Sequence, residues 1–164
     1  MNLALVGINH RTAPVEIRER MNIQEDRLPA AVTDLVHRAG IEEGLILSTC
    51  NRVEVVTRFG EQVEPVTILR GFLADYHHCD LSPFEKYFYW FRQEEVIRHL
   101  FRVASSLDSM ILGEPQVLGQ MKSAYITARG VGAIGFGATD FTAVRVVVIP
   151  SRSSLPKSRL QGFL

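Results

Sequence analysis

The chain is 164 residues long, with 18 Lys+Arg against 18 Asp+Glu, 46% hydrophobic residues and two cysteines. That length suits one domain, the apolar content is too high for a disordered chain, and zero formal charge removes the simplest argument for a general phosphate binder, though not for a local basic patch. Two cysteines are too few for a disulfide framework, no charged start with an apolar run marks a secretory leader, and no run approaches the roughly 20 apolar residues of a membrane helix, so a soluble, cytoplasmic protein is expected.

Charge and glycine are spread unevenly. Residues 1–129 hold 14 basic and 17 acidic side chains, a net of −3, whereas residues 130–164 hold four basic and one acidic, a net of +3, with five of the 12 glycines. This predicts a domain over 1–129 and an atypical glycine-rich, basic tail over 130–164.

Residues 2–8 (NLALVGI) are an apolar run ended by Asn9, His10 and Arg11, as in a buried strand. Pro14 opens a short helix over 15–21. Asn22 with Glu25 three residues on matches a capping pair, and Leu28, Ala31, Val32, Leu35, Val36 and Ala39 recur at helical spacing until Gly40 stops the run. Leu45, Ile46 and Leu47 read as a strand, and Val53, Val55 and Thr57 alternate with Glu54, Val56 and Arg58 as a second. Val66, Leu69, Leu73 and Tyr76 give another helical stripe, and residues 87–91 (YFYWF) an aromatic strand. A helix begins near Glu94 with the stripe Val96, Leu100 and Val103, and a last one runs over about 116–129, after the breakers Gly113 and Pro115. The order predicts an α+β fold, a mostly antiparallel sheet covered by helices.

Cys50 lies between two strands in LILSTCNRVEV, where a rigid scaffold can present a thiol to a substrate. Arg52, two residues on, supplies a permanent positive charge able to favour thiolate or hold a carboxylate. A small buried hydrophobe is the competing reading, against which the polar neighbours Ser48, Thr49, Asn51 and Arg52 argue. Cys79, beside His77 and His78, reads as a solvated loop, because adjacent histidines do not readily face one ion and no second ligand pair is suitably spaced; no metal site is expected. Residues 105–120 (SSLDSMILGEPQVLGQ) suit a loop that offers donors and acceptors to a polar ligand, or an ordinary connection between capped helices. His99 flanks an apolar stripe, where an imidazole can shuttle a proton or simply sit at a core boundary.

Residues 130–135 (GVGAIG) match G-x-G-x-x-G. A dinucleotide site needs a preceding strand, a following helix and an acidic residue about 20 positions on; here a helix precedes and no acid follows Asp140, so no such site is expected. Residues 143–149 (AVRVVVI) read as a strand or an aggregation-prone segment.

GINHRTAPVEIRE near the start, LSTCNRVEV around Cys50 and HLFRVASSLDSMILGEPQVLGQMK over 99–122 closely resemble the N-terminal catalytic domain of glutamyl-tRNA reductases, over about the first 129 residues. That family makes glutamate-1-semialdehyde from glutamyl-tRNA with NADPH, opening the five-carbon route to tetrapyrroles such as haem. The resemblance implies that Cys50 is the nucleophile forming a glutamyl thioester and that His99 influences activity. It implies a glutamyl pocket lined by Thr49, Asn51, Arg52, Ser109, Glu114, Pro115, Gln116 and Gln120, with Arg52 on the substrate γ-carboxylate and Glu114 facing its α-ammonium. The family continues into an NADPH-binding Rossmann domain and a dimerisation helix, neither of which the 130–164 segment resembles. The expectation is therefore a truncated or frame-disrupted chain limited to thioester formation or hydrolysis. The alternatives are a fragment that binds glutamyl or tRNA without catalysis, and an unstable product whose tail has no role.

Overall fold

A computed structural model describes residues 2–108 and 116–135. Its strands are β1 (Leu3–Asn9), β2 (Ile41–Ser48), β3 (Arg52–Phe59) and β4 (Tyr89–Arg92), in one antiparallel sheet of order β2-β3-β1-β4. The α+β expectation holds. β1 is buried along its whole length and β3 everywhere except Arg58, because both are interior strands with each face covered. The alternation read over 53–58 therefore does not become an inside and an outside: Glu54 and Thr57 are as buried as Val56. A carboxylate is thus enclosed in the sheet, and the site is built around it.

The helices are α1 (Val15–Met21), α2 (Leu28–Val36), α3 (Pro65–His77), α4 (Glu94–Ala104) and α5 (Gln116–Gly130). α2 packs Leu28, Ala31, Val32 and Leu35 into the core, against the sheet face where Gly44 leaves room for Leu35 and Val36; a β-carbon there would lie 2.8 Å from Leu35. α4 buries Val96, His99, Leu100 and Val103 on the opposite face, and α5 buries Val117, Met121, Ala124, Tyr125 and Ala128 beside β2.

Several local expectations are corrected. Asn22 and Glu25 do not cap α2. Asn22 closes α1, its N–H donating to Glu19 O and its Oδ1 accepting the Ser48 hydroxyl at 2.7 Å, while Glu25 belongs to a 3₁₀ turn, Glu25–Arg27, that delays α2 until Leu28. α2 stops at Val36, so Ala39 is exposed, and Gly40 takes φ 89° in the turn that follows. β2 starts earlier than its apolar centre, at Ile41, because Arg58 of β3 pairs with both Glu42 and Glu43 across a bulge. Tyr87 ends a 3₁₀ helix, Ser82–Tyr87, and the aromatic strand begins only at Tyr89. The solvated loop expected at 77–80 is mostly not one. His77 is the last residue of α3, packed edge-on to Tyr76 at 5.0 Å, with burial first and then Arg20 and His78 lowering its pKa; Cys79 is half-buried on the core.

The composition change near residue 130 coincides with no loss of packing. Residues 131–135 turn back onto β2, burying Ala133 and Ile134; Gly44 N–H donates to Ala133 O at 3.0 Å and Gly135 N–H to Glu43 Oε1 at 2.8 Å. The strand or aggregation-prone segment read over 143–149 lies outside the described residues.

Candidate active site

The turn between β2 and β3 is braced from three sides. Thr49 Oγ1 accepts from the Asn51 and Arg52 N–H groups at 3.2 and 3.1 Å, and Thr49 N–H donates to Arg52 O at 2.8 Å, the local hydrogen-bonding that suits threonine to turns. Arg18 Nε donates to Cys50 O at 3.2 Å, and His10 N–H donates to Asn51 O at 2.9 Å. Cys50 is a free thiol exposed at the tip. The buried-hydrophobe reading is thereby overturned, since turn geometry rather than packing decides where this side chain sits.

Behind the turn, strand register gathers a polar cluster. Asn9 faces Arg52, and Gly7 faces both Glu54 of β3 and Tyr89 of β4, so alternation puts Arg52, Glu54 and Tyr89 on one side of the sheet. Gly7 is what makes room for them: a β-carbon there would stand 2.8 Å from Glu54 Cγ and 2.9 Å from the Tyr89 ring and hydroxyl. Glu54 is 0% exposed, and its Oε1 accepts from Arg52 at 2.9 Å, Tyr89 Oη at 2.5 Å and His99 Nε2 at 2.7 Å. Burial alone would raise the Glu54 pKa, but the His99 hydrogen bond, the Arg52 and His99 charges and the Tyr89 hydroxyl outweigh it and hold the carboxyl below its ordinary value. The ionised carboxylate can only accept, so Nε2 of His99 carries the proton of that bond. Tyr89 is shifted the other way, burial and then the Glu54 charge pushing its phenol well above its ordinary value.

The Arg52 side chain is 3% exposed and spans two acids: one nitrogen on Glu54, the other on Asp108, at 2.5 Å to the carbonyl and 3.5 Å to Oδ2. Asp108 also pairs with Arg11 at 3.0 Å. A buried charge with several partners is tolerable; one deprived of them costs several kcal/mol.

Two cavities lie near the turn: Ser48, just before it, lines one, and Asn9, the β1 partner of Arg52, lines the other. The first, of about 380 Å³, lies between the segment after β1, β4 and α4, with His99, Tyr89 and Phe91 on its wall and Arg11, Arg98 and Arg102 among its polar lining. His99 stacks at 4.9 Å from Phe91, centroid to centroid. The second, of about 390 Å³, opens between α2, β2 and α5; an apolar floor of Leu28, Ile46 and Leu47 is ringed by amides and hydroxyls of Ser48, Gln116, Gln120, Ser123 and Thr127, with Glu25 the one charged residue among the described lining. The expected site residues are divided accordingly. Thr49, Cys50, Asn51 and Arg52 share one turn; His99 joins Arg52 through Glu54; Gln116 and Gln120 face the second cavity; Ser109, Glu114 and Pro115 lie outside the described residues. Sequence reading missed Glu54, Tyr89, Asp108 and Arg11. The available signal for Glu54 was an acid set among valines in RVEVV, too apolar a string for a solvated carboxylate.

Among the described residues no cluster of His, Cys, Asp and Glu could hold a metal ion, and no helix is long and apolar enough to cross a membrane. The residues also do not fit a dinucleotide. Gly130 ends a helix rather than following a strand, and Gly135, at the position that would pack a following helix onto that strand, instead donates its N–H to Glu43.

Fold and site together define an α+β domain that holds an exposed thiol on a braced strand-to-strand turn, beside a buried His–Glu–Arg network. The family model described as glutamyl-tRNAGlu reductase, N-terminal domain, matches residues 6–141, and the chain belongs to that family. It is 55% identical over 134 residues to glutamyl-tRNA reductase 2 of Koribacter versatilis, covering 82% of this chain and 30% of that protein. It is 47% identical over 125 residues to glutamyl-tRNA reductase of Pelobacter propionicus, covering 76% of this chain and 29% of that one. The solved structure of glutamyl-tRNA reductase from Methanopyrus kandleri superposes with a TM-score of 0.68 at 34% identity, over 89% of this chain and 32% of the other. The chain thus spans about 30% of the length of the curated relatives it matches.

Proposed function

We propose that this chain carries the acyl-transfer half of glutamyl-tRNA reduction, the step that feeds tetrapyrrole synthesis, with Cys50 as nucleophile. The observation that carries the reading is the exposed Cys50 thiol on a turn fixed by Thr49, Arg18 and His10, in a chain of this family. In the proposed step the Cys50 thiolate forms a C–S bond to the ester carbonyl carbon, and the bond from that carbon to the ribose oxygen breaks. The ribose oxygen takes up a proton equivalent to the one lost by the thiol, releasing tRNA. An ester is activated enough that no strong base is required. Water then returns free glutamate and thiol.

His99 acts in this reading from a fixed orientation, its Nε2 proton held by Glu54 and its ring facing the first cavity. The glutamyl group is read into the amide- and hydroxyl-lined second cavity beside Ser48, with Gln116 and Gln120 as contacts; Thr49 and Asn51 hold the turn, and Ser109, Glu114 and Pro115 complete the set. Arg52 is taken as the partner of the γ-carboxylate, an exchange in which it gives up both its 2.5 Å bond to the Asp108 carbonyl and its 3.5 Å contact with the Asp108 carboxylate while keeping Glu54. NADPH belongs to the whole reaction, and no step here passes through it. The cytoplasm is the compartment proposed for this chemistry, because a reducing medium keeps Cys50 a free thiol.

The test is single-turnover deacylation of glutamyl-tRNA by the purified chain and its Cys50→Ser variant. Release that falls at least 100-fold in the variant, with a hydroxylamine-sensitive glutamyl-protein adduct in the parent, is expected. Binding without Cys50-dependent release would replace the catalytic reading with a recognition module.

A further inference from the structure

Chemistry at Cys50 leaves the basic lining of the first cavity unused. Arg98 and Arg102 stand one turn apart on α4, both exposed and both lining it. At i and i+4 they are neighbours on one helix face, where like charges repel unless an anion joins them, and among the described residues neither has a carboxylate within ion-pair distance. Arg11 approaches from the segment after β1, its side chain half exposed. Among the described residues two acids line the cavity. Asp108 is already countered by Arg11 and Arg52, which leaves Glu95 alone against Arg98 and Arg102. A cavity with surplus guanidinium groups and an aromatic wall of Tyr89 and Phe91 suits a phosphorylated nucleotide better than a lone carboxylate, since guanidinium forks match phosphate oxygens and the ring faces accept a base or sugar.

We propose that this cavity binds the phosphate of the terminal nucleotide of the tRNA 3′ end, with Arg98 and Arg102 donating to its oxygens. The inference rests on the glutamyl-tRNA reading above. The ester attacked by Cys50 hangs on the terminal ribose, whose own phosphate lies on the other side of the same sugar. In the protein, the turn bearing Cys50 and the segment bearing Arg11 are joined by the His10 N–H to Asn51 O bond, so thiol and cavity are fixed to one another. The footprint is invisible in the net charge of −3 over residues 1–129 because it is local and drawn from two separated segments.

The experiment is equilibrium binding of a labelled acceptor-stem minihelix ending in CCA to the full chain at 50 and 200 mM salt. The Arg98→Gln/Arg102→Gln double variant is expected to bind about tenfold or more weakly and to lower the slope of log K against log salt by about two. Arg98→Lys/Arg102→Lys should recover most of that slope, and unchanged circular dichroism identifies a binding rather than a folding defect. Cys50→Ser should bind like the parent, so failure of the thioester reading appears in deacylation alone and not here. AMP should displace the minihelix, adenosine should not, and a minihelix trimmed of CCA should lose the arginine dependence. Unchanged affinity of the double variant, equal displacement by adenosine, or displacement by NADPH at lower concentration than by AMP would each overturn the assignment.

Discussion

The cavities at α4 and α5 are nearly the same size and differ in construction. The one at α4 is backed by buried ions held through its lining residues Tyr89, His99 and Asp108: Glu54 receives three donors, Arg52 bridges two acids, and neither has water to fall back on. The one at α5 sets amides and hydroxyls around an apolar floor, and among its described residues the one charge, Glu25, is exposed. Ionic construction fixes positions to within a hydrogen bond but makes each member indispensable, whereas amide lining tolerates loss and adapts to what it meets. The difference teaches that one small fold can carry a rigid, ion-backed surface and a forgiving one.

Substitution should expose that asymmetry. Arg52→Gln leaves Glu54 buried with one cation fewer and should destabilise the domain by about 3–5 kcal/mol in urea denaturation, whereas Gln120→Ala, opposite it, should stay within about 0.5 kcal/mol. Equal effects would erase the distinction. Gly7→Ala comes next, at about 1–3 kcal/mol, because the added carbon meets the pinned Glu54 and Tyr89 rather than a mobile tip. Relief of that cost by Tyr89→Phe in the same chain would locate it in the cluster.

Acid should act more gradually. His10 and His77 are held below the ordinary imidazole value of 6.5, His10 by burial and then Arg11 and Arg52, His77 by burial and then Arg20 and His78. The unfolded chain therefore binds more protons than the folded one as pH falls below about 6.5, and stability declines there. The Glu54 carboxyl, whose pKa is depressed, contributes stability that is complete above its ordinary value of 4.5 and is lost as pH falls through its folded value. Two stages of decline in urea midpoint against pH are expected; His77→Gln should flatten the first and leave the second. A single acidic stage would show that the imidazoles are not restrained by the fold.

Much of this architecture was legible in the residues. The apolar run of β1, the stripe of α4 and the breakers before α5 located their elements, since each is set by local periodicity. The cap at Asn22 was misread because Ser48, 26 positions away, takes its side chain, and no local pattern reveals a long-range partner. Cys50 and Arg52 stood out through their motif, but Glu54 did not, because its meaning depends on Gly7, Tyr89 and His99 arriving from three other elements. The boundary at residue 129 was read from composition, which carries no information on the packing of Ala133 and Ile134 beside β2.

The strand order β2-β3-β1-β4 also sets a timetable. β1 leaves the ribosome first, gains β3 only when Phe59 has emerged, and keeps its other edge open until Arg92 follows. At about 5–20 residues per second that edge waits roughly 2–7 s, and Glu54 sits without its histidine somewhat longer. A nascent chain of this protein therefore passes through an interval in which an apolar strand and an unpaired acid are both on display, the moment at which a chaperone has most to offer it.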